Sequence, residues 1–144
     1  MWSTDETIAI NGTSSSDGSG NWNVIKTADP NAEATAATRY PAFYYANTYN
    51  ATGYPAGTWY IPAKDELSLL CGTNVSVVNT ALGKISGAAQ INTNPTNISF
   101  FRYWASTGGP HMSNAYGFFF DNNSCMADHK SDTNCAVRVM RKFD

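Results

Sequence analysis

His111, His129, the cysteines Cys71, Cys125 and Cys135, Ser106 and the adjacent acids Asp65 and Glu66 are the residues of this chain whose types could do chemistry. A metal centre or an acid-base pair needs partners that converge on it, and the one acid local to either histidine is Asp128, beside His129. Surface contact or solvation is therefore the simpler reading of both rings. None of the cysteines sits in the two-residue-spaced pair that binds zinc, and an odd number cannot form a fully paired framework. Free, buried or half-buried thiols are expected, with a Cys125–Cys135 bridge across a long loop as the alternative. Ser106 lacks the Gly-x-Ser-x-Gly turn that exposes a nucleophile. Asp65 and Glu66 diverge by roughly 100° on a helix, so they read as helix-start charge rather than as a facing pair. These residues give no catalytic group, no metal site and no cofactor. What remains is binding.

Length and composition narrow the class further. A chain of 144 residues is the size of one domain and can bury a core without disulfides. Charged residues make up only 14% and aromatics 13%, with a net charge of -2, so the basic patch of a nucleic-acid binder is absent. A surface of Asn, Thr, Ser, Gly and Tyr fits an extracellular or particle-borne protein. No window approaches the roughly 18 apolar residues of a membrane span, and the N-terminus lacks a basic region followed by an apolar one. Membrane insertion is not expected, and the chain reads as a mature form or a fragment.

The elements must position whatever binds. Ile8 to Ile10 and the Trp22 to Ile25 region read as two short strands flanking a Gly/Ser-rich turn, one of them entering a sheet beside the C-terminus. The alanines from Asn31 to Ala37 favour a helix, which Pro41 restarts and which continues to about Tyr49. A turn at 52–57 leads to a strand over Thr58–Ile61. A helix over Lys64–Leu70 follows, then one from Thr73 or Asn74 to Gly87 with Val75, Val78, Leu82 and Ile85 as its apolar stripe.

The last third organises the rest. Tyr103–Thr107, Asn114–Phe120 and Val137–Arg141 read as strands, and the segments 108–114 and 122–134 as long irregular loops. Between Ala115 and Asp121 a period of two puts Tyr116, Phe118 and Phe120 on a core face and Gly117, Phe119 and Asp121 on an outward one. Strands and helices segregated in this order define an α+β domain over 1–144.

Several motifs in this order resemble one family: Tyr40-Pro41-Ala42-Phe43-Tyr44, Gly57-Thr58-Trp59-Tyr60-Ile61-Pro62-Ala63-Lys64-Asp65-Glu66-Leu67, Tyr103-Trp104-Ala105-Ser106-Thr107, Ala115-Tyr116 with Phe118 and Phe120, Lys130, and Val137-Arg138-Val139-Met140-Arg141. Over about residues 30 to 143 the chain resembles the bacterial and phage C-type-lectin-like domains, which include variable proteins diversified by retroelements and the C-terminal domains of collagen-like and fimbrial adhesins. The resemblance implies a C-type lectin-like fold, an antiparallel sheet with two to three helices, and a display region over 100–136. Carried over position by position, the ligand-binding set is Arg102, His111, Met112, Ser113, Asn114, Gly117, Phe119, Asp121, Asn122, Ser124, Met126, Asp128, His129, Ser131, Asp132 and Asn134. A glycine expected after the Phe120 turn is Asn123, which also tolerates a left-handed backbone. The calcium-binding triplets of animal C-type lectins do not occur; Asn94-Pro95 is the nearest fragment and lacks a neighbouring carboxylate.

The resemblance implies a non-catalytic receptor- or adhesin-type module on a cell surface or phage particle, recognising a protein or glycan ligand, as part of a larger chain or a homo-oligomer. A structural fimbrial or surface-layer subunit is the alternative. An oxidoreductase like the formylglycine-generating enzymes, which share the broad fold, is the distant one.

Overall fold

The computed structural model describes residues 1–5, 11–51, 53–92, 101–120 and 123–142. Its sheet is built where the sequence places it: β1 (Arg102–Gly108) pairs antiparallel with β2 (Asn114–Phe119), matching Tyr103 with Phe118 and Trp104 with Gly117. Two further strands complete it. β3 (Ser124–His129) lies antiparallel to β2, and β4 (Cys135–Ala136) runs parallel to β1, giving the order β3-β2-β1-β4. The sheet is thus mixed rather than antiparallel throughout.

β3 occupies a stretch expected to be loop. Its residues have little strand preference of their own, but they pair with β2 without interruption from Asn114↔His129 to Phe119↔Ser124. The turn before it carries Asn123 at φ 56, the left-handed backbone expected there. Conversely, the strands expected at Thr58–Ile61 and Val137–Arg141 reduce, among the described residues, to the single bridge Tyr60↔Met140.

Among the described residues five helices surround the sheet: α1 (Gly18–Ala28), α2 (Ala36–Arg39), α3 (Pro41–Thr48), α4 (Lys64–Ser68) and α5 (Asn74–Leu82). Pro41 opens α3 as anticipated. α1 corrects the expected strand at Trp22–Ile25, while the Ile8–Ile10 strand lies outside the described residues. The polar Gly/Ser stretch is a helix cap. Asp17 accepts the Gly20 N–H at 3.1 Å, and Asn21, Trp22 and Ile25 then recur at helical spacing on the buried side. Ile85, placed by the sequence in the stripe of α5, lies past its end and is exposed.

Both faces of the sheet are covered. On one, Tyr103, Ala105, Phe118 and Phe120 pack with Leu67, Cys71 and Ile91, flanked by Val75, Val78 and Leu82 of α5. On the other, Trp104, Ala115 and Cys135 meet Trp2, Trp22, Ile25, Tyr40 and Phe43. Trp2 is fully buried, donates its indole N–H to the Ala105 carbonyl at 2.9 Å, and stands edge-on to Phe43 with ring centroids 4.8 Å apart. Its backbone N–H bonds the Lys130 carbonyl at 2.7 Å, so the N-terminal segment does pack beside the last third.

Glu66 ties two helix starts together. One oxygen accepts the Ala63 N–H at 2.7 Å and the Gly18 N–H at 2.9 Å, while the other accepts the Tyr60 hydroxyl at 3.3 Å. Asp65, by contrast, accepts the exposed Ser15 hydroxyl. Replacing Glu66 by Ala strands two backbone donors and the Tyr60 hydroxyl, so Glu66→Ala is expected to cost about 2 kcal/mol and Asp65→Ala less than about 0.5 kcal/mol in urea unfolding. Equal losses from the two variants would contradict this account.

Lys130 is fully buried, with its ammonium 4.7 Å from the centroid of Trp2. Burial pushes its pKa down from 10.5 to about 8, and Asp5 offsets this only in part. Between these values the unfolded chain holds the proton more tightly, so this residue's contribution to stability rises with pH across that window. Cys135, pushed up by burial from 9.0 to about 11, contributes oppositely above pH 9. The stability of the wild type relative to a Lys130→Met variant should therefore increase between about pH 8 and 10, a trend that paired urea melts would reveal or refute.

Candidate ligand-binding surface

Arg102, the first residue of β1, is where the sequence-derived set converges. Its side chain is only 5% exposed, and it makes ion pairs from Nε to Asp128 Oδ2 at 2.8 Å and from a terminal nitrogen to Asp132 Oδ2 at 2.6 Å. The other terminal nitrogen reaches Met126 Sδ at 3.4 Å, Nε also lies 3.5 Å from Cys135 Sγ, and the guanidinium sits 5.5 Å from the centroid of Phe119. Gly117 makes the room. A Cβ there would come within 3.2 Å of Arg102 Cδ and 3.3 Å of its Cβ, so a side chain would press on the guanidinium's stem.

Strand register explains the gathering. With Gly117 opposite both Trp104 and Met126, alternation sets Arg102, Gly117, Phe119, Met126 and Asp128 on one face. β4, parallel to β1, brings Cys135 alongside Arg102. Asp132 arrives from the intervening turn, where its other oxygen accepts the Asn134 N–H at 2.7 Å.

Burial of the cluster shifts its titrations in consistent directions. The Asp128 carboxyl is pushed up by desolvation, with Arg102 pulling it down. The Arg102 guanidinium is itself disfavoured by burial, but the Cys135 sulfur and the two carboxylates outweigh that and raise its pKa. Asp128 Oδ2 receives no well-directed hydrogen bond despite the 2.8 Å approach, so that contact is chiefly ionic. Asp128, Asp132 and Cys135 offer ligand atoms within 4.8 Å of one another, a grouping a metal could use. Here the positive charge among them is Arg102, and a thiol pushed up to about 11 is a poor thiolate donor.

The other members of the set are placed differently. His111 and Met112 are exposed in the β1–β2 loop, Met112 by 60%, with Ser113 half-buried and Asn114 half-buried at the start of β2. His129 stands opposite Asn114 and is exposed, as are Ser124 and Met126 on β3 and Asn134 beyond it; Ser131 is half-buried. Asp121 and Asn122 lie outside the described residues. The set therefore divides along the strands. One group surrounds Arg102, and the other gathers at the β1–β2 loop near His111 and His129, the two meeting at the adjacent Asp128 and His129.

Two expectations need correction. Arg102 and Gly117, read as display residues, are buried, because the face assigned to solvent is filled by the guanidinium and its partners. Phe119, on the same face, is half-buried against that guanidinium rather than free. The carboxylates on this face are neutralised by Arg102. Arg138 bonds the Ala89 carbonyl at 2.8 Å, and Arg141 lies over the Tyr54 ring at 4.2 Å. Sequence reasoning missed Cys135 as a member of the cluster; its only signal is its place in a strand too short to show periodicity. The cysteines are all free, Cys71 and Cys135 buried and Cys125 exposed. Ser106 is fully buried and bonded by Asn21 at 2.9 Å, a structural role.

No protein-family model, curated protein or solved structure matches this chain. No helix among the described residues is long and apolar enough to cross a membrane.

Removing the guanidinium leaves two close carboxylates without their counter-charge. Arg102→Met should cost about 3 kcal/mol at pH 7, and Arg102→Lys nearly as much, since one ammonium cannot span both acids. With the guanidinium gone Asp128 moves further up, so protonation relieves the variant, and the gap to wild type should narrow on going from pH 7 to pH 4. A gap that stays constant over that range would refute the charge account.

Proposed function

We propose that the chain is a non-catalytic ligand-binding module of the C-type-lectin-like class, of the receptor or adhesin type, acting outside the cell or on a phage particle. The observation that carries this reading is the division of labour around Arg102. Arg102, Gly117, Asp128 and Asp132, four residues that the family resemblance puts in the display region, form a rigid charged floor. Exposed side chains stand around it: His111 and Met112 on the β1–β2 loop, Ser124 and Met126 on β3, and Asn134. Sites built on strands with locked side chains hold their geometry better than sites on free loops. Exposed methionines flanked by small polar groups suit an adaptable protein contact. Two of the three thiols support a role without cysteine chemistry: burial pushes Cys71 up to about 12 and Cys135 up to about 11, away from a reactive thiolate.

The contact residues under this proposal are His111, Met112, Phe119, Ser124, Met126, His129 and Asn134, with Arg102, Gly117, Asp128 and Asp132 as positioning residues. Screening the protein on protein and glycan arrays, together with a His111→Ala/Met112→Ser variant and a Met126→Ser variant, tests it. Loss of about tenfold or more in affinity, with unchanged melting, is expected from at least one of them. A ligand whose affinity neither variant alters would place the binding surface elsewhere. Self-association that both variants abolish would support the fimbrial or surface-layer subunit instead.

A further inference from the structure

A cleft of about 210 Å³ opens between α1, α3 and the segment 57–61 and shares no residue with the surface proposed above. α1 lines it with Trp22, Asn23 and Lys26, and α3 with Asn47. Trp59 and Tyr60, both half-buried, supply aromatic wall. The volume falls below the roughly 300–1,000 Å³ that encloses a drug-sized molecule, so it suits one small ring rather than an oligomer or a helix.

The lining is rigid and incompletely satisfied. Trp22 stacks on Phe43 at 5.0 Å and 18° and is only 8% exposed, yet its indole N–H is buried with no acceptor among the described residues. Trp104 shares that lack but does not line this cleft. Trp59 is held edge-on by Tyr49 at 5.1 Å and donates its N–H to the Tyr54 carbonyl at 3.2 Å, so its ring is a fixed apolar surface. Among the described residues Lys26 is the one charged member of the lining, which contains no carboxylate; it pairs with Glu33, 3.9 Å away and 74% exposed.

We infer that this cleft binds a single acidic pyranose, a sugar ring carrying a carboxylate. The apolar face of the ring lies against Trp59, and the Asn23 and Asn47 amides, each donor and acceptor, bond its hydroxyls. The ring settles near enough to Trp22 for its indole N–H signal to report binding, and Lys26 meets the carboxylate. A neutral sugar lacks that last contact, and a small anion lacks the aromatic one.

The test follows the four indole N–H signals of the isotope-labelled protein by NMR during titration with glucuronate, glucose or acetate, with Trp22 assigned through Trp22→Phe. Glucuronate should shift the Trp22 signal saturably at millimolar concentrations, with glucose about threefold weaker, the scale of an exposed ion pair, and acetate without effect. Lys26→Gln should erase the preference for glucuronate over glucose, and Trp59→Ala should weaken both. If Trp59→Ala melts lower than wild type, Asn47→Ala takes its place. The inference is overturned by a Trp22 signal that none of the three moves, by acetate reproducing the glucuronate shift, or by a preference that survives Lys26→Gln. Because the cleft and the Arg102 surface share no residue, Lys26→Gln and His111→Ala/Met112→Ser assign any glycan binding by the intact protein to one site or the other.

Discussion

The fold depends on how one arginine is neutralised inside a covered sheet. A guanidinium removed from water is tolerable only if acids and hydrogen-bond acceptors meet it in good geometry. Arg102 meets two carboxylates, two sulfurs and an aromatic ring, drawn from β2, β3, the following turn and β4. Each partner demands a particular register. A one-residue slip of β3 would turn Asp128 and Met126 to the opposite face, and a slip of β2 would bring a bulky side chain where Gly117 now admits the guanidinium. A single side chain thereby couples the alignment of β2 with that of β3 and β4, two strands that have little hydrophobic pattern of their own.

The same face of the sheet carries the other half of the organisation, around Trp104 and Ala115. The N-terminal residues are drawn across it by Trp2, whose indole bonds β1 while its backbone bonds Lys130 just past β3. Contacts so far apart in sequence leave no local trace, which is why alternation in β2 alone could not tell that the Ala115–Gly117 face is covered. The buried lysine follows from the same arrangement: its carbonyl and its stem are needed by Trp2, and its ammonium is held against the ring at a cost in ionisation.

The sequence was most legible where pattern and chemistry are local. β1 and β2, the Pro41 start of α3, the acids that open α4 and the left-handed Asn123 all stand where they were read. It was misleading where pairing overrides preference. β3 is polar and irregular in composition and becomes a strand because β2 offers it a full ladder. α1 follows a Gly/Ser run that resembles a linker, and its β-branched Val24 and Ile25 resemble a strand until Asp17 caps the turn before them. At the candidate surface the residues read as one display set divide into buried and exposed groups. Arg102 and Gly117 looked exposed by position, whereas charge burial, visible only once Asp128 and Asp132 are brought across, makes them foundation.

The division between foundation and rim has a consequence for tolerance of change. Positions such as His111 and Met112 are exposed on the β1–β2 loop, away from the Arg102 contacts, so combinatorial libraries over them should keep most members folded. Libraries that included Arg102, Gly117 or Asp128 would lose most members before any could be selected for affinity. The molecule thus separates, within one small sheet, the residues that preserve heredity of form from those open to novelty of contact.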